Sequence, residues 1–251
     1  ELTKPVFVSL TMANDSFLKS WLREENDSPK QIAELQDYLN GLKRKYDYSS
    51  VFLVSAKTNI YYHYNGINKV VSRDDSHDFW YYNFVVSGIP HRLEVDTDEM
   101  VRNELTVFVN CRIEDDHGEL MGVVGVGVKM RELQQILASF ELDFDLTAFL
   151  VNREGVVQVH TSDAMIANAT IDDLLPVSEY RKKIFTKSRV ESSWYKYNGQ
   201  ETCLVTRYID DLDWYLIVEK DTAIIKESLL SQLWKDILVV ACIICLLYTS
   251  D

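Results

Sequence analysis

The sequence is short of positive charge. Its 251 residues include 26 Lys and Arg against 39 Asp and Glu, which gives a net charge of −13 at pH 7. A protein that binds nucleic acid neutralises phosphates with a basic face, so this balance argues against a nucleic-acid partner. The same balance disfavours a peripheral grip on anionic lipid.

Cysteine is scarce as well, with four residues in the chain. Cys242 and Cys245 lie inside an apolar run, where they act as small hydrophobic residues at helical spacing. Cys111 and Cys203 form a disulfide only if the fold brings them together, which the sequence leaves open. A zinc site is not indicated, and we predict that the chain holds no metal and no cofactor.

Catalytic motifs are also missing, since the sequence contains no GxSxG, HExxH or P-loop pattern. Gly122, Gly125 and Gly127 lack the GxGxxG spacing and lie within an apolar run, which is typical of a strand that packs closely on a neighbouring helix. The five His residues are scattered and show no ligand spacing. We predict that the chain is not an enzyme, and a glycosidase built from two distant carboxylates is the alternative.

The most informative feature that is present is an apolar run near the end, Ile237–Tyr248, which is 12 residues long. A helix that spans a bilayer needs about 20 apolar residues, but a surface helix shows polar positions every third or fourth residue. We expect a transmembrane helix that continues past the end of this sequence, with a buried helix as the alternative. The chain also begins without an initiator Met or a signal peptide, so we expect an earlier span to precede it.

Residues 1–46 have helical periodicity. Apolar residues recur at helical spacing in two groups, Phe7, Leu10, Phe17 and Trp21, then Ile32, Leu35, Leu39, Leu42 and Tyr46. Between the groups, Ser28 followed by Pro29 and Gln31 is typical of an N-cap, a Pro at the first helical position and a capping box. We predict a long N-terminal helix over residues 1–46, either one helix or two collinear helices.

The period changes after residue 46. Segments 50–56, 104–113 and 120–130 have the pattern of strands, and 131–140 has the pattern of a helix. Within 104–113, Thr106, Phe108, Asn110 and Arg112 share one face. Phe108 and Asn110 are expected to line one cavity, whereas Arg112, near the strand end, is expected to be solvated.

The second half of the chain repeats this plan. "VFLVSAKTNIYYH" (51–63) matches "AFLVNREGVVQVH" (148–160) at a fixed offset, and 194–221 predicts three more strands with a turn at Asn198–Gly199. We therefore predict an α+β fold with two similar modules in tandem, at 47–140 and 141–222. An exit helix and the truncated membrane segment follow at 223–251.

An aromatic cluster, "FWYYNF" (79–84), follows the polar run "SRDDSHD". Trp and Tyr offer large flat surfaces with a polar handle, which suits the wall of a ligand pocket. The alternative is that these aromatic residues only fill the core of the first module.

This layout resembles the double Cache (dCache) extracytoplasmic sensor domains. The resemblance is carried by the "FLV" strand of each module, by "WYY", by "DHGELMGVVGVGVKMRELQQIL" and by "DLDWYLIVEKD". It implies a long N-terminal helix, two PAS-like antiparallel-sheet modules and a ligand pocket in the membrane-distal module, 47–140. It also implies a bacterial or archaeal membrane protein whose cytoplasmic output is a diguanylate cyclase, a histidine kinase or a chemoreceptor, with the wording most similar to cyclase-coupled members.

The resemblance places the pocket wall at Trp80 and Tyr81. In members that bind amino acids, an Arg holds the ligand carboxylate and an Asp meets the ligand amine. Here those two positions are Asp78 and Gly127, and Asp96 corresponds to a third charged anchor.

A carboxylate offers only hydrogen-bond acceptors, whereas a guanidinium offers a fork of donors. We therefore predict that the site, with Asp78 and Asp96, takes a cationic or donor-rich ligand such as an amine or a sugar. It is not expected to take a free α-amino acid in the usual pose. The alternative for Asp78 is a cap on the helix that carries Trp80.

Two classes of function follow. The first is a ligand-gated sensor anchored in the cell membrane, with residues 1 to about 232 outside the cytoplasm and the C-terminal helix in the bilayer. The second is a structural ectodomain with an occluded pocket that forms a homodimer through its N-terminal helix. Ligand identity, output domain and oligomeric state are left open by the sequence.

Overall fold

The computed structural model describes residues 3–26, 28–101, 104–175, 184–185, 190–197 and 200–222. The chain divides into two compact units. The first unit comprises Glu1–Ile136 and Ile209–Trp214, and the second comprises Leu137–Tyr208 and Tyr215–Asp251. The module boundaries predicted from the sequence, 47–140 and 141–222, are not tested by this division and remain predictions.

The N-terminal segment forms three helices: α1 (Lys4–Ala13), α2 (Ser16–Arg23) and α3 (Pro29–Tyr46). The prediction of one helix or two collinear helices over 1–46 is therefore wrong. The first break lies at Asp15, whose backbone is extended and whose Oδ1 accepts a hydrogen bond from the Phe17 amide at 2.8 Å. An Asp in this position is a strong N-cap, so it starts a new helix.

The second break confirms the predicted helix start at Ser28. Its Oγ accepts from the Gln31 amide at 3.3 Å, and Pro29 occupies the first helical position. The capping box is only half formed, because Gln31 Oε1 accepts from the Asn26 amide at 2.7 Å and not from the amide of Ser28. The Gln31 side chain thus ties α3 to the loop before it.

The first unit contains a six-stranded antiparallel sheet with the order β3-β2-β1-β6-β5-β4. Its strands are β1 (Ser50–Ser55), β2 (Ile60–His63), β3 (Gly66–Val70), β4 (His91–Asp98), β5 (Glu104–Glu114) and β6 (Leu120–Lys129). A 3₁₀ turn at Ser76–Asp78 leads into α4 (Phe79–Ser87), and α5 (Met130–Phe144) follows β6. The strands predicted at 50–56, 104–113 and 120–130, and the helix predicted at 131–140, are confirmed.

The two faces of this sheet carry different helices. Tyr81 and Phe84 of α4 pack on one face, in a buried cluster with Phe52, Val54 and Val123. Helix α1 packs against β5 and β6. Because strand side chains alternate between faces, Phe108 and Asn110 lie on the α4 side of β5, and Val107 and Val109 on the opposite side.

The second unit contains a five-stranded sheet with the order β8-β7-β11-β10-β9. Its strands are β7 (Thr147–Val151), β8 (Val157–Val159), β9 (Glu191–Tyr197), β10 (Gln200–Ile209) and β11 (Trp214–Asp221), and a short helix, α6, spans Ile171–Leu174. The matching segments 51–63 and 148–160 form the hairpins β1–β2 and β7–β8, as the repeat predicts. The turn predicted at Asn198–Gly199 lies outside the described residues.

Among the residues that the structure describes, no helix combines the length and the apolar character needed to cross a bilayer. The predicted membrane segment, Ile237–Tyr248, and the exit helix before it lie outside the described residues. Cys111 and Cys203 are both free thiols, the first buried and the second half-buried.

Candidate functional site

A cavity of about 40 Å³ lies in the first unit, between α4 and the face of the sheet on which α4 packs. We call it the acidic cavity. Its aromatic lining consists of Phe52, Tyr61, Trp80 and Phe108. Its acidic lining consists of Glu94, Asp96, Asp98 and Glu99. Its volume gives room for about three water-sized groups.

Phe52 organises the aromatic wall from the central strand β1. Its ring meets Trp80, Tyr61 and Phe108 edge-on, with ring-centroid distances of 5.8, 5.4 and 6.1 Å. Edge-to-face contacts at these separations are favourable for aromatic rings and fix their orientation. The four rings therefore pack against one another, and Trp80 is the member that α4 contributes.

The glycines of β6 make room for these rings. A Cβ atom added at Gly125 would lie 2.7 Å from Phe52 Cζ, and one added at Gly127 would lie 3.2 Å from Phe108 Cε1. The prediction that the glycines allow close packing on a neighbouring helix holds for Gly122, whose added Cβ would lie 3.5 Å from Leu22 Cδ1 of α2. At Gly125 and Gly127 it is wrong, because the crowding atoms belong to the adjacent strands. The absence of side chains at these two positions leaves room over β6 for the rings of Phe52 and Phe108.

Strand β4 supplies most of the acidic wall. Glu94, Asp96 and Asp98 occupy alternate positions and therefore point to one side of the sheet. Burial raises the pKa of Glu94, which the nearby Arg92 guanidinium partly offsets. Burial also raises the pKa of Asp98, whose side chain is 3% exposed and accepts from the Met100 amide at 2.9 Å.

Asn110 is the polar group at the base of the cavity and is 1% exposed. Its Nδ2 donates to Glu94 Oε2 at 3.0 Å. Its Oδ1 is buried and has no hydrogen-bond partner within the described part of the chain. A buried carbonyl oxygen without a donor is costly, so this atom is a natural acceptor for a ligand.

Asp78 does not line the acidic cavity. It belongs to an ion-pair cluster around Lys69. Lys69 Nζ lies 2.8 Å from Asp78 Oδ1, 2.9 Å from Glu99 Oε2 and 3.2 Å from Asp75 Oδ2. Partial burial lowers the pKa of Lys69, but the three carboxylates outweigh it and hold that pKa above its ordinary value. Lys69 is therefore a permanent cation beside the cavity mouth, bonded to Glu99 of its lining.

Asp78 is fully buried, and its Oδ2 accepts from the Ser72 amide at 2.8 Å. It stands at the N-cap position of α4 but makes no side-chain cap hydrogen bond. The proposed helix cap is therefore wrong. Asp78 is also not among the residues that line the cavity, because Lys69 and the Ser72 amide occupy its carboxylate.

Tyr81 likewise does not line the acidic cavity. It is 3% exposed and packs in the core cluster with Phe84. Tyr82 donates its hydroxyl to the Val71 carbonyl at 3.1 Å, and Phe79 is half exposed. The aromatic cluster is thus divided among the cavity, the core and the surface.

Arg112, expected to be solvated, has a side chain that is only 12% exposed. Its Nη1 donates to the Val85 carbonyl near the end of α4 at 2.8 Å, and its Nε donates to Glu114 at 2.8 Å. That expectation is wrong because the strand end lies beneath the helix and offers the guanidinium a carbonyl acceptor. Arg112 therefore holds the C-terminal turn of α4 to β5.

Of the six residues predicted for the site, the cavity brings together Trp80, Asp96, Phe108 and Asn110. Their role in holding a ligand stays a prediction. Glu94, Asp98 and Glu99 also line the cavity and were not foreseen. The signal for the first two was present in "RLEVDTD", where acidic residues occupy every second position and so share a face with Asp96.

The family model dCache_1, described as a Cache domain, matches residues 7–229. This is most of the chain, which therefore belongs to the dCache_1 family of Cache domains. The fold agrees, since each unit is built on an antiparallel sheet with accompanying helices.

Solved structures are similar to the chain over most of its length. The ligand-binding domain of the Pseudomonas fluorescens chemoreceptor CtaA, in complex with L-leucine, has 17% identity and a TM-score of 0.62 over 88% of this chain and 87% of that one. The ligand-binding domain of the Pseudomonas aeruginosa chemoreceptor PctB, in complex with L-Arg, has 18% identity and a TM-score of 0.60 over 88% of both chains. The extracellular domain of mmHK1S-Z2, assigned as a histidine kinase, has 14% identity and a TM-score of 0.57 over 89% of this chain and 98% of that one. At these identities the likeness concerns the fold.

Proposed function

We propose that the chain is the extracytoplasmic sensor domain of a membrane signalling protein, and that the acidic cavity holds a small cationic ligand rich in N–H donors. The observation that carries this proposal is the Asn110 carbonyl oxygen, which is buried without a donor from the described residues, in a cavity lined by four carboxylates. Every one of these groups accepts hydrogen bonds, so the complementary group is an ammonium.

The size and the walls of the cavity support an amine in particular. An ammonium group is close to the size of a water molecule, and about 40 Å³ accommodates it with the first atoms of its carbon chain. The rings of Phe52, Trp80 and Phe108 offer apolar surface to that carbon chain and cation–π attraction to the charge. A sugar meets the acceptors through its hydroxyl groups but lacks the compensating charge.

A free α-amino acid fits this cavity less well. Its carboxylate needs a cation or several donors, and among the described residues that line the cavity none is Lys or Arg. Lys69, close by, is already bonded to three carboxylates. The similar chemoreceptor domains bind L-leucine and L-Arg, each with a carboxylate as well as an ammonium, so we propose that this chain differs from them in ligand class.

The signalling role completes the proposal. Residues 1 to about 232 lie outside the cytoplasm, and the apolar run near the C-terminus spans the membrane. The output domain that we propose is a diguanylate cyclase, because the sequence motifs are most similar to those of cyclase-coupled members. A chemoreceptor or a histidine kinase is supported equally by the structural relatives.

A thermal-shift screen of the 251-residue chain in detergent micelles tests the ligand class. The panel contains amines, sugars, carboxylates, nucleobases and amino acids. An amine at about 100 times its dissociation constant should add about 2.7 kcal/mol to the free energy of unfolding. Asp96→Asn should weaken that amine about tenfold, whereas Asp116→Asn, a surface acid whose side chain is 86% exposed, should not.

Two results would count against the proposal. Tight binding of an ordinary amino acid with no response to amines would refute the ligand class. A panel with no response at all would favour the structural ectodomain, in which the cavity stays closed and the N-terminal helices form a homodimer.

A further inference from the structure

A second cavity, of about 160 Å³, lies in the first unit on the face of the sheet opposite to α4. We call it the apolar cavity. Its walls come from Lys4 and Pro5 of α1, from Tyr46–Tyr48 at the end of α3, from the sheet and from α5. Leu212 and Trp214 close one side, and both fall in Ile209–Trp214, the segment that belongs to the first unit although β11 begins at Trp214.

The interior of the apolar cavity is hydrocarbon. The sheet contributes Leu93, Val107, Val109 and Val128, and α5 contributes Leu133 and Ile136. The charged residues of the lining are Lys4, Asp47 and Glu132, and all three are exposed. Their charges therefore remain in water at the rim, and the interior favours an uncharged molecule.

Tyr48 supplies a buried polar group to this cavity, whose lining also includes Tyr46 and Trp214. The residue is 5% exposed, and its hydroxyl is buried without a hydrogen-bond partner in the described part of the chain. Burial, helped by the neighbouring Tyr46, raises the pKa of Tyr48 to about 12, so the hydroxyl keeps its proton as a donor. A buried hydroxyl that lacks a partner leaves a hydrogen bond available to an occupant.

The volume defines the size of that occupant. Apolar cavities of roughly 150 Å³ take up benzene. We propose that the apolar cavity is a second ligand site, for an uncharged single-ring molecule with one hydroxyl or carbonyl group that bonds to Tyr48. The site is independent of the acidic cavity, because the two lie on opposite faces of the sheet and share no lining residue.

An occupant of the apolar cavity touches α1 and α5 together with the sheet. It therefore connects two helices, α1 and α5, that lie far apart in the sequence. A ligand that binds only the folded state raises the melting temperature, so occupancy is measurable without knowledge of the natural ligand.

The test uses phenol and benzene as probes of the isotope-labelled 251-residue chain, followed by NMR titration. Both probes should bind through the hydrocarbon walls, and phenol should bind more tightly because its hydroxyl pairs with Tyr48. Tyr48→Phe should remove the advantage of phenol, a weakening of about 3- to 10-fold, and leave the benzene affinity unchanged.

Filling the cavity provides the second arm. Val128→Phe and Ile136→Phe place a ring inside it and should abolish binding of both probes. Val70→Phe adds the same ring to the same sheet at a position that is 61% exposed and outside the cavity, and should bind as the parent does. Two variants at different walls guard against one that fails to fold.

Three results would overturn the inference. The first is no saturable shift with either probe at millimolar concentration. The second is binding that persists in both filled variants. The third is a phenol advantage that survives Tyr48→Phe, since the hydroxyl would then have no part in recognition.

Discussion

Lys69 Nζ lies 2.8 Å from Asp78 Oδ1, and the carboxylate that it neutralises is fully buried. The pair joins β3 to the start of α4. The same ammonium bonds to Glu99, which lines the acidic cavity, so one lysine links helix, sheet and cavity.

Replacing this lysine should therefore be costly. Lys69→Met leaves the Asp78 carboxylate buried without its counter-charge, and the free energy of unfolding should fall by about 3 kcal/mol. Urea denaturation followed by tryptophan fluorescence measures the loss. In the double variant Lys69→Met with Asp78→Asn, much of the stability should return, and a loss below about 1 kcal/mol in the single variant would contradict the assigned role.

Amine affinity should depend on pH through Glu94 and Asp98. Burial raises the pKa of both carboxyls, so each holds its proton to a higher pH than an ordinary acid. A bound ammonium requires the ionised form, and affinity should therefore rise as the pH increases from about 4 towards 7. Calorimetric titration of an amine across this range checks the direction, and an affinity that is flat with pH would exclude these carboxylates from recognition.

His63 should make the fold sensitive to acid. Burial, with the nearby Lys43, lowers its pKa to about 4, so the folded state rejects a proton that the unfolded chain accepts below about 6.5. Its contribution to stability is thus complete above pH 6.5 and is lost as the pH falls towards 4, by up to roughly 3 kcal/mol.

The variant His63→Gln isolates this effect because it removes the titrating ring. The difference in unfolding free energy between pH 7 and pH 4.5 should be smaller in His63→Gln than in the parent chain. An equal difference in the two proteins would assign the acid sensitivity to other groups.

Two glycines provide a matched pair of substitutions. A Cβ at Gly125 would lie 2.1 Å from the Val109 carbonyl oxygen and 2.7 Å from Phe52 Cζ. Gly125→Ala should therefore lower the free energy of unfolding by about 1–3 kcal/mol. Gly41, within α3, has no atom within 4 Å of its added Cβ, so Gly41→Ala should raise it by about 0.5–1 kcal/mol. Thermal unfolding of both variants checks the two signs.

Two neighbouring positions on α4 allow a comparison, because Trp80 lines the acidic cavity and Phe79 lies outside it. Trp80→Leu removes a ring from the acidic cavity and should weaken an amine about tenfold, by the loss of stacking and cation–π contact. Phe79→Leu changes a half-exposed ring outside the cavity and should leave affinity unchanged. Equal affinity in both variants would show that Trp80 only fills space.

The sequence predicted those parts of the site that depend on strand alternation. Phe108 and Asn110 share a face because they are two residues apart in a strand, and Asp96, opposite Thr106 in the register of β4 and β5, lies on that same face. The two missed acids, Glu94 and Asp98, follow from the same rule. Alternation is a local property, so it needs no knowledge of the tertiary structure.

Two predicted site residues, Tyr81 and Asp78, do not line the cavity, for reasons that lie in the tertiary structure. Trp80 and Tyr81 are adjacent in a helix and so point about 100° apart, and only the packing of α4 decides which of them faces the cavity. The resemblance placed Asp78 at the ligand, and the sequence could not show its partner Lys69, which lies in an earlier strand that only the folded sheet brings near. Asp15, in contrast, carried a readable N-cap signal that would have divided the first helix.

Helix α4 is held at both ends, by Asp78 on Lys69 of β3 at its start and by the Val85 carbonyl on Arg112 of β5 at its end. Strand β3 is one edge of the sheet, and β5 is next to the other edge. The helix therefore acts as a brace across nearly the full width of the sheet. A displacement of Trp80 by a ligand should therefore strain one of these two anchors, and through it the strand that holds it, β3 or β5.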